Sequence, residues 1–504
     1  MNCTQRKEKN EQEARSLLAR ASFARFSQLA VRNMSRPAAK RRGVTVMLVL
    51  VFMGIFTLLL GGLSGYVFTE SRVGRANYSR EAAFQAAEAG LEYYRWFLAH
   101  NPNNLTNGTG NPGPYVQNVT DSGGNTVGSY SLAVAGNSSC GTLQSIDITS
   151  TGSSAADPTF KRVLQARYAK PSVAEYAYII NSDVWAGADR VITGPYQVNG
   201  GIRMDGTNNS IVSSSVNTWT CTASFGCSPN QIEPGVFGTG SGSALWKYPV
   251  PQVDFAGMAS NFSTLKSLAQ ASGVYFPSIG TSDQTGYHVI LKNNNTFDVY
   301  TVTKTIAAQS LHIDNLSMWQ YDYDTIAKET FKGNYAIPAS CSVIFFENKV
   351  WLEGTVSGKV TLVAAAPSSS YSPDIILNNN ITYTSADGTV GLTAIAEHSV
   401  RIPLRVPHTM AVRGIFIAQT GYFGRDLYTC TYAPDDELTQ LSLAGTVVSN
   451  LRVGTKWGYY QSGCSGTSGF DTRIDSYDKV LAQSPPPFTP AWSPTPFFVV
   501  WKEQ

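Results

Sequence analysis

RRGVTVMLVLVFMGIFTLLLGGLSGYVF (residues 41–68) runs directly into TESRVGRANYSREAAFQAAEAGLEYYRWFL (69–98), and the fold is decided by how this pair is read. No charge lies between Arg42 and Glu70, which leaves enough apolar length to cross a hydrocarbon core of roughly 30 Å as a helix. No proline follows until Pro102, and Ala82, Ala83, Ala86, Ala87, Leu91, Tyr94 and Leu98 recur at three- and four-residue steps. That spacing continues the helix with an apolar stripe on one face. At about 1.5 Å per residue, Val44 to Leu98 makes a rod of about 80 Å, far more than a bilayer needs. Glu70, Arg72, Arg75, Arg80 and Glu81 require the second half to be solvated on one side and packed on the other.

The rest of the composition fits an exported β-rich chain. Of 504 residues, 43% are hydrophobic and 14% charged, enough apolar content for two or three folding units. The net charge of +3 hides an asymmetry, because residues 1–42 hold eleven Lys or Arg against Glu8, Glu11 and Glu13. A basic excess on one flank of a span keeps that flank cytoplasmic and is not a nucleic-acid signature. The apolar run is too long for a secretory signal peptide, whose core is roughly 7 to 15 residues. Everything past the span is therefore expected outside, where Cys140, Cys221, Cys227, Cys341, Cys430 and Cys464 meet oxidising conditions. Cys221 with Cys227, and Cys430 with Cys464, are the expected pairs among fifteen connectivities. No CxxC pair or neighbouring histidine points to a metal instead.

In chain order, residues 1–43 form a basic leader, and 44–100 the long helix, with a transmembrane half at 44–68. Residues 101–170 carry three alternating segments, SYSLAVAG (129–136), QSIDITSTG (144–152) and KRVLQARYA (161–169). Period-two patterning predicts a small antiparallel sheet against which the helix stripe packs. Residues 171–340 read as β-rich with a helical insertion at 253–273, whose apolar face is Phe255, Met258, Phe262, Leu265 and Leu268. Residues 341–484 offer strand–turn–strand units at a loose spacing of about 20 residues, the spacing of stacked rungs. Each rung alone cannot bury its apolar face. Residues 485–504 form a proline-rich and aromatic tail, in which Phe497 to Trp501 reads as a strand that docks back. The expected fold class is α+β: a long helix on a small antiparallel sheet, then an all-β region built as a parallel β-helix or β-roll, with a β-sandwich as the alternative.

Catalysis finds little support. His100, His288, His312, His398 and His408 sit in no nucleophile elbow, metal-ligand spacing or phosphate loop. His398 alternates with apolar residues and reads as a solvent-facing strand residue. Two acidic stretches, Asp435-Asp436-Glu437 and Asp322-Tyr323-Asp324, lack the spacing of a calcium loop. No enzyme activity, metal or cofactor is expected. A carbohydrate-active β-helix enzyme is supported only by fold-level analogy.

AAKRRG ending at Gly43, the apolar helix directly after it, and the block EAAFQAAEAGLEYYRWFL together resemble the N-terminus of PilX-type minor pilins of type IV pili. The resemblance covers Lys40 to Leu98. It implies cleavage by a prepilin peptidase between Gly43 and Val44, methylation of the new N-terminus, and a helix with Leu48, Gly61, Gly65, Glu70, Ala83, Ala87, Glu88 and Gly90 in assembly positions. Most pilins place a glutamate where this chain has Leu48, which implies a tip or initiating position rather than one along the shaft. Expected partners are other pilins of the filament, the peptidase, the inner-membrane assembly platform and an unknown surface ligand. The implied location is the cytoplasmic membrane, N-terminus inside, and an extracellular filament after assembly. Met34 opens a shorter leader, MSRPAAKRRG, and translation is expected to start there. The alternative to a pilin is a single-pass membrane-anchored surface protein.

Overall fold

The computed structural model describes residues 44–458 and 463–504. The expectations for residues 1–43, the cleavage glycine Gly43 and the Met34 start among them, lie outside the described residues. The chain divides into two units at Ala76 and Asn77.

Helix α1 spans Val44–His100, 57 residues without a break. It stops where the Phe97 carbonyl accepts from Asn101 N at 2.8 Å, one residue before Pro102. Proline removes the next donor and restricts the residue preceding it, so the helix has no way on.

Behind the second half of α1 lies an antiparallel sheet built from β1 (Tyr115–Thr120), β2 (Thr126–Ser139), β3 (Thr142–Ser154), β4 (Lys161–Ala169) and a last strand, Phe497–Glu503, in that order. Alternate residues of the central strands face inward: Tyr130 and Leu132, Ile146 and Ile148, Leu164, Ala166 and Tyr168. The three expected strands are present. β1 is an addition to them, because YVQNVT carries an Asn among its apolar residues and comes after a turn-rich run. The C-terminal strand pairs with β4, Phe497 against Ala169 and Glu503 against Leu164.

The larger β region is a ladder of parallel strands. One stack runs Val274–Phe276, Val343–Phe346, Lys359–Ala364, Gly391–Ala396, then residues 415–418 and 447–449. It continues with Tyr178–Ile180, Tyr196–Val198, Val212–Ser214 and Trp246–Lys247. A second stack holds Gly286–Leu291, Val350–Val356, Ile375–Tyr383, Val400–Arg401 and Phe423–Gly424. A third joins Thr409–Ala418, Glu437–Ser449, Thr467–Ser476, Arg190–Thr193 and Thr207–Asn208. Their inward side chains form one core, from Phe276, Tyr287 and Phe346 through Leu377, Phe416 and Leu443 to Tyr178 and Val198.

The stacking order is not the chain order. The rungs at 178–247 come after the rung at 447–449, so the ladder crosses residue 340 without a seam. Trp246–Lys247 and Val274–Phe276 sit at opposite ends of a ten-strand stack, about 43 Å apart at about 4.8 Å per step. Residues 248–273 make that return journey outside the stack. The helix expected at 253–273 is two helices there, Phe255–Met258 and Phe262–Ala271, capped by Asp254 and Asn261. They break where Ser260 N bonds the Gln419 side chain at 2.8 Å. A cap residue satisfies amides that a continuous helix would not free. Met258, Phe262, Leu265 and Ala269 are buried against Val343, Phe345, Ile417 and Val448 of the stack.

Three disulfides close the chain. Cys221–Cys227 and Cys430–Cys464 are local, while Cys140–Cys341 ties the β2–β3 turn to the ladder across 201 residues. The tail reinforces that tie, with Phe488 N bonded to Gln144 at 3.1 Å and Thr489 Oγ1 to Thr393 Oγ1 at 2.6 Å.

Candidate functional site

The first half of α1 is apolar on every face and bare. Val44 is the first described residue, Leu48 is exposed, and Leu58 is 78% exposed. A Cβ added at Gly61 or Gly65 would meet nothing within 4 Å, and Glu70 is also exposed. Thr57 and Thr69 turn their hydroxyls back onto carbonyls of the preceding turn, which removes the polar groups that hydrocarbon would reject. At about 1.5 Å per residue, Val44 to Phe68 measures about 37 Å, enough for a bilayer core.

From Ser79 onward the helix has two faces. Ser79, Ala83, Ala86, Ala87, Gly90, Leu91, Tyr94, Phe97 and Leu98 are buried, and Glu88 lies exposed on the opposite side. Small residues set the spacing. A Cβ at Gly152 of β3 would overlap the Ala83 carbonyl and the Ala87 backbone. A Cβ at Gly90 would sit 2.5 Å from Ser150 Oγ and 2.9 Å from the Tyr130 ring. The helix therefore rests backbone to backbone on the sheet at Ala83 and Ala87. Larger side chains fill the wider end, where Tyr94, Phe97 and Leu98 meet Tyr115, Leu132 and Leu164. The Tyr94 hydroxyl donates to the Asn104 carbonyl at 2.9 Å, and burial pushes its pKa up to about 12.

Ionisable groups concentrate elsewhere, on the outer side of the second stack. Asp374 accepts from the His398 ring at 2.8 Å and pairs with Arg401 at 3.1 Å. Burial opposes its charge, yet Arg401 and then His398 hold the carboxyl well below the usual carboxylate range. His398 is raised, by the Asp374 hydrogen bond above all. It is thus half-buried and paired, not the solvent-facing residue that alternation suggested. Its Nδ1 serves both Asp374 and Ser399 Oγ, so no relay from hydroxyl through imidazole to carboxylate is formed. His288 lies between Glu329 at 2.8 Å and Glu353 at 3.5 Å. Burial lowers its pKa, and hydrogen bonds and charge from both glutamates raise it overall. Asp322 and Asp324 are buried in a strand rather than displayed in a loop, and Asp435 pairs with Arg405.

Among the described residues, no group of three or more His, Cys, Asp or Glu is placed to hold a metal ion. A cleft of about 1300 Å³ opens between the sheet, the 255–271 helices and the tail, lined in part by Leu98, Ser139, Arg167, Lys359, Pro486 and Trp492. No pair of carboxylates or acid–base couple converges in it. The residues singled out from sequence on α1 share one helix but not one environment. Ala83, Ala87 and Gly90 meet the sheet, whereas Val44, Leu48, Gly61, Gly65 and Glu70 are exposed. Sequence reasoning missed Gly128 and Gly152, the sheet's half of that contact. A glycine inside a strand pattern was the available signal.

No family model and no curated protein matches the chain. Among solved structures it is similar to the competence-associated pilin ComZ from Thermus thermophilus, with 15% identity and a TM-score of 0.26 over 84% of this chain and 97% of that one. So remote a likeness carries no weight for fold or function.

Proposed function

We propose that the chain is a minor pilin-like subunit of a type IV pilus or related filament, held in the membrane by the first half of α1 and displaying its β-rich part outward. The observation that carries this reading is the helix itself: 57 unbroken residues, bare and apolar to Phe68, then seated on an antiparallel sheet by Ala83, Ala87 and Gly90. An ordinary anchor has no use for a continuation of this length. A subunit that leaves the bilayer to pack its apolar half among neighbouring helices does. Leu48, in place of a carboxylate that would meet a neighbour's amine, fits a tip or priming position. The parallel pairing of the ladder supports a β-helix over a sandwich, whose sheets are antiparallel. We read the ladder as a display surface for an unknown ligand, with no catalytic role.

Processing tests this reading. In cells with an active prepilin peptidase, Gly43→Val is expected to accumulate as a precursor longer by the leader, as the unaltered chain does when the peptidase gene is deleted. Mature protein that still carries its leader in wild-type cells would leave the anchored surface protein as the better reading.

A further inference from the structure

The strands Thr296–His312 and Asn315–Ala336 form a hairpin whose root is part of the second stack and whose distal half, residues 303–328, lies over charged side chains of the ladder. Three apolar contacts hold it, and Ser310 and Leu311 pair antiparallel with Tyr428 and Leu427 of the ladder. Val302 and Ile326 meet Trp351 and Ile376 near the root, and Leu311, Ile313, Leu316 and Trp319 meet Tyr422, Leu427 and Trp457 at the tip. Between root and tip, Ala308 meets Leu404 and Tyr428, and the rest of the contact is polar. Asp324 is well partnered, by Lys349 Nζ at 3.1 Å and Arg401 Nη2 at 2.9 Å.

Asp322 is not. The residue is 2% exposed, and neither carboxylate oxygen has a well-aligned donor, the Tyr428 hydroxyl being the one side-chain hydrogen bond that favours its charge. Ser310 Oγ, Thr305 Oγ1, Thr325 Oγ1 and His312 Nε2 on the same hairpin are likewise buried without a partner. The groups that face Asp322 are Asp324 on its own strand, His312 on the paired strand, and Arg401, Arg425, Asp426 and Tyr428 on the ladder. Neither arginine gives it a hydrogen bond, although Arg401 attracts its charge. Arg401 serves Asp324, Asp374 and Asp426, and Arg425 donates to the carbonyls of Pro403, Leu404 and Asp435.

We propose that the distal half of this hairpin is a proton-dependent clamp, seated on the ladder while Asp322 is protonated and loosened around that residue when that proton leaves. An ionised carboxylate without a donor is the costliest group to bury, and a protonated one is far cheaper. Burial, then the charge of Asp324, pushes the Asp322 pKa up to about 7, with Arg401 and Tyr428 offsetting only part. Burial also pushes Asp426 up to about 6. Linkage gives the sign. A carboxyl whose pKa is raised in the seated form favours seating fully below its ordinary value near 4, and loses that contribution as pH rises to about 7. Loosening uncovers Lys349 and Arg401, the partners of Asp324, to solvent. The clamp does not depend on the filament reading.

Hydrogen exchange on the full chain in detergent, with protection factors corrected for intrinsic rates, tests it at pH 5.5 and pH 8. Amides of residues 303–328 are expected to lose at least about tenfold in protection at pH 8, on the scale of tenfold per pH unit. Asp322→Asn, neutral at both values, is expected to keep its protection. Equal protection of the native hairpin at both pH values overturns the proposal, as does the same loss in Asp322→Asn. A matching loss in β4 would mark general loosening and also overturn it. If Asp322→Asn fails to fold, Asp322→Ser is read in the same way.

Discussion

The five-stranded sheet and the parallel ladder solve the same problem, covering apolar strand faces, with opposite contact ranges. In the sheet, β1 to β4 pair with their chain neighbours, and only the last strand arrives from far away. In the ladder, adjacent strands come from turns of chain some twenty or more residues apart, and the rung at 447–449 is followed by one at 178–180. Local antiparallel pairing leaves its mark as alternation in one short window. Parallel stacking does not, because both strand faces are covered and the pattern becomes a run of apolar residues.

The contrast is sharpest where backbones touch. Gly152→Val drives a side chain into the Ala83–Ala87 backbone. It is expected to cost about 4 kcal/mol or more and to unseat α1 from the sheet while the ladder stays folded. Separate melting of the two regions, with exchange measured in β3 and in Lys359–Ala364, checks this; a ladder that melts together with the sheet would break the comparison. Within α1, Leu91→Ala removes a buried side chain and is expected to cost about 3 kcal/mol. Leu58→Ala, in the bare half, should move the melting point of detergent-solubilised protein by almost nothing. Equal effects would mean that the halves are not distinct.

Removing the tie between the regions, with Cys140→Ser and Cys341→Ser together, is expected to cost about 2 to 4 kcal/mol and to separate the two melting transitions further. A smaller effect concerns pH. His398 is raised chiefly by Asp374, so the pair contributes stability that is complete below the usual histidine value and fades as pH rises through the elevated one. Asp374 is depressed, so its own contribution is lost at the acid end. His398→Gln is expected to change ladder stability by less than about 1 kcal/mol, discounted because the imidazole is partly exposed, and to flatten the decline as pH rises past the usual histidine value. An unchanged pH profile would remove that pair from the account.

Much of α1 and its sheet is legible from the residues. The stripe from Ala83 to Leu98 and the alternation of QSIDITSTG and KRVLQARYA name the faces that meet. YVQNVT is too short and too polar to stand out as β1. The 253–273 segment reads as one helix because Phe255, Met258, Phe262 and Leu265 keep a helical period across Ser260, where a side chain from Gln419 breaks it. The third disulfide eluded spacing altogether, since 201 residues separate Cys140 from Cys341. His398 and Asp322 look like surface residues in their own windows. Only the strands stacked above them, and the hairpin laid across, decide that one is paired and the other left without a well-aligned donor.

By itself the sequence determined the long helix, its change from apolar throughout to two-faced near Glu70, and the strand-rich character of the chain beyond His100, because hydrophobic spacing along one segment is a local property. Tertiary structure alone decided the order in which rungs stack, the journey of residues 248–273 back along the ladder, and which buried charges find partners. Those outcomes depend on surfaces brought together from hundreds of residues apart, and no window of sequence contains both sides of such a contact.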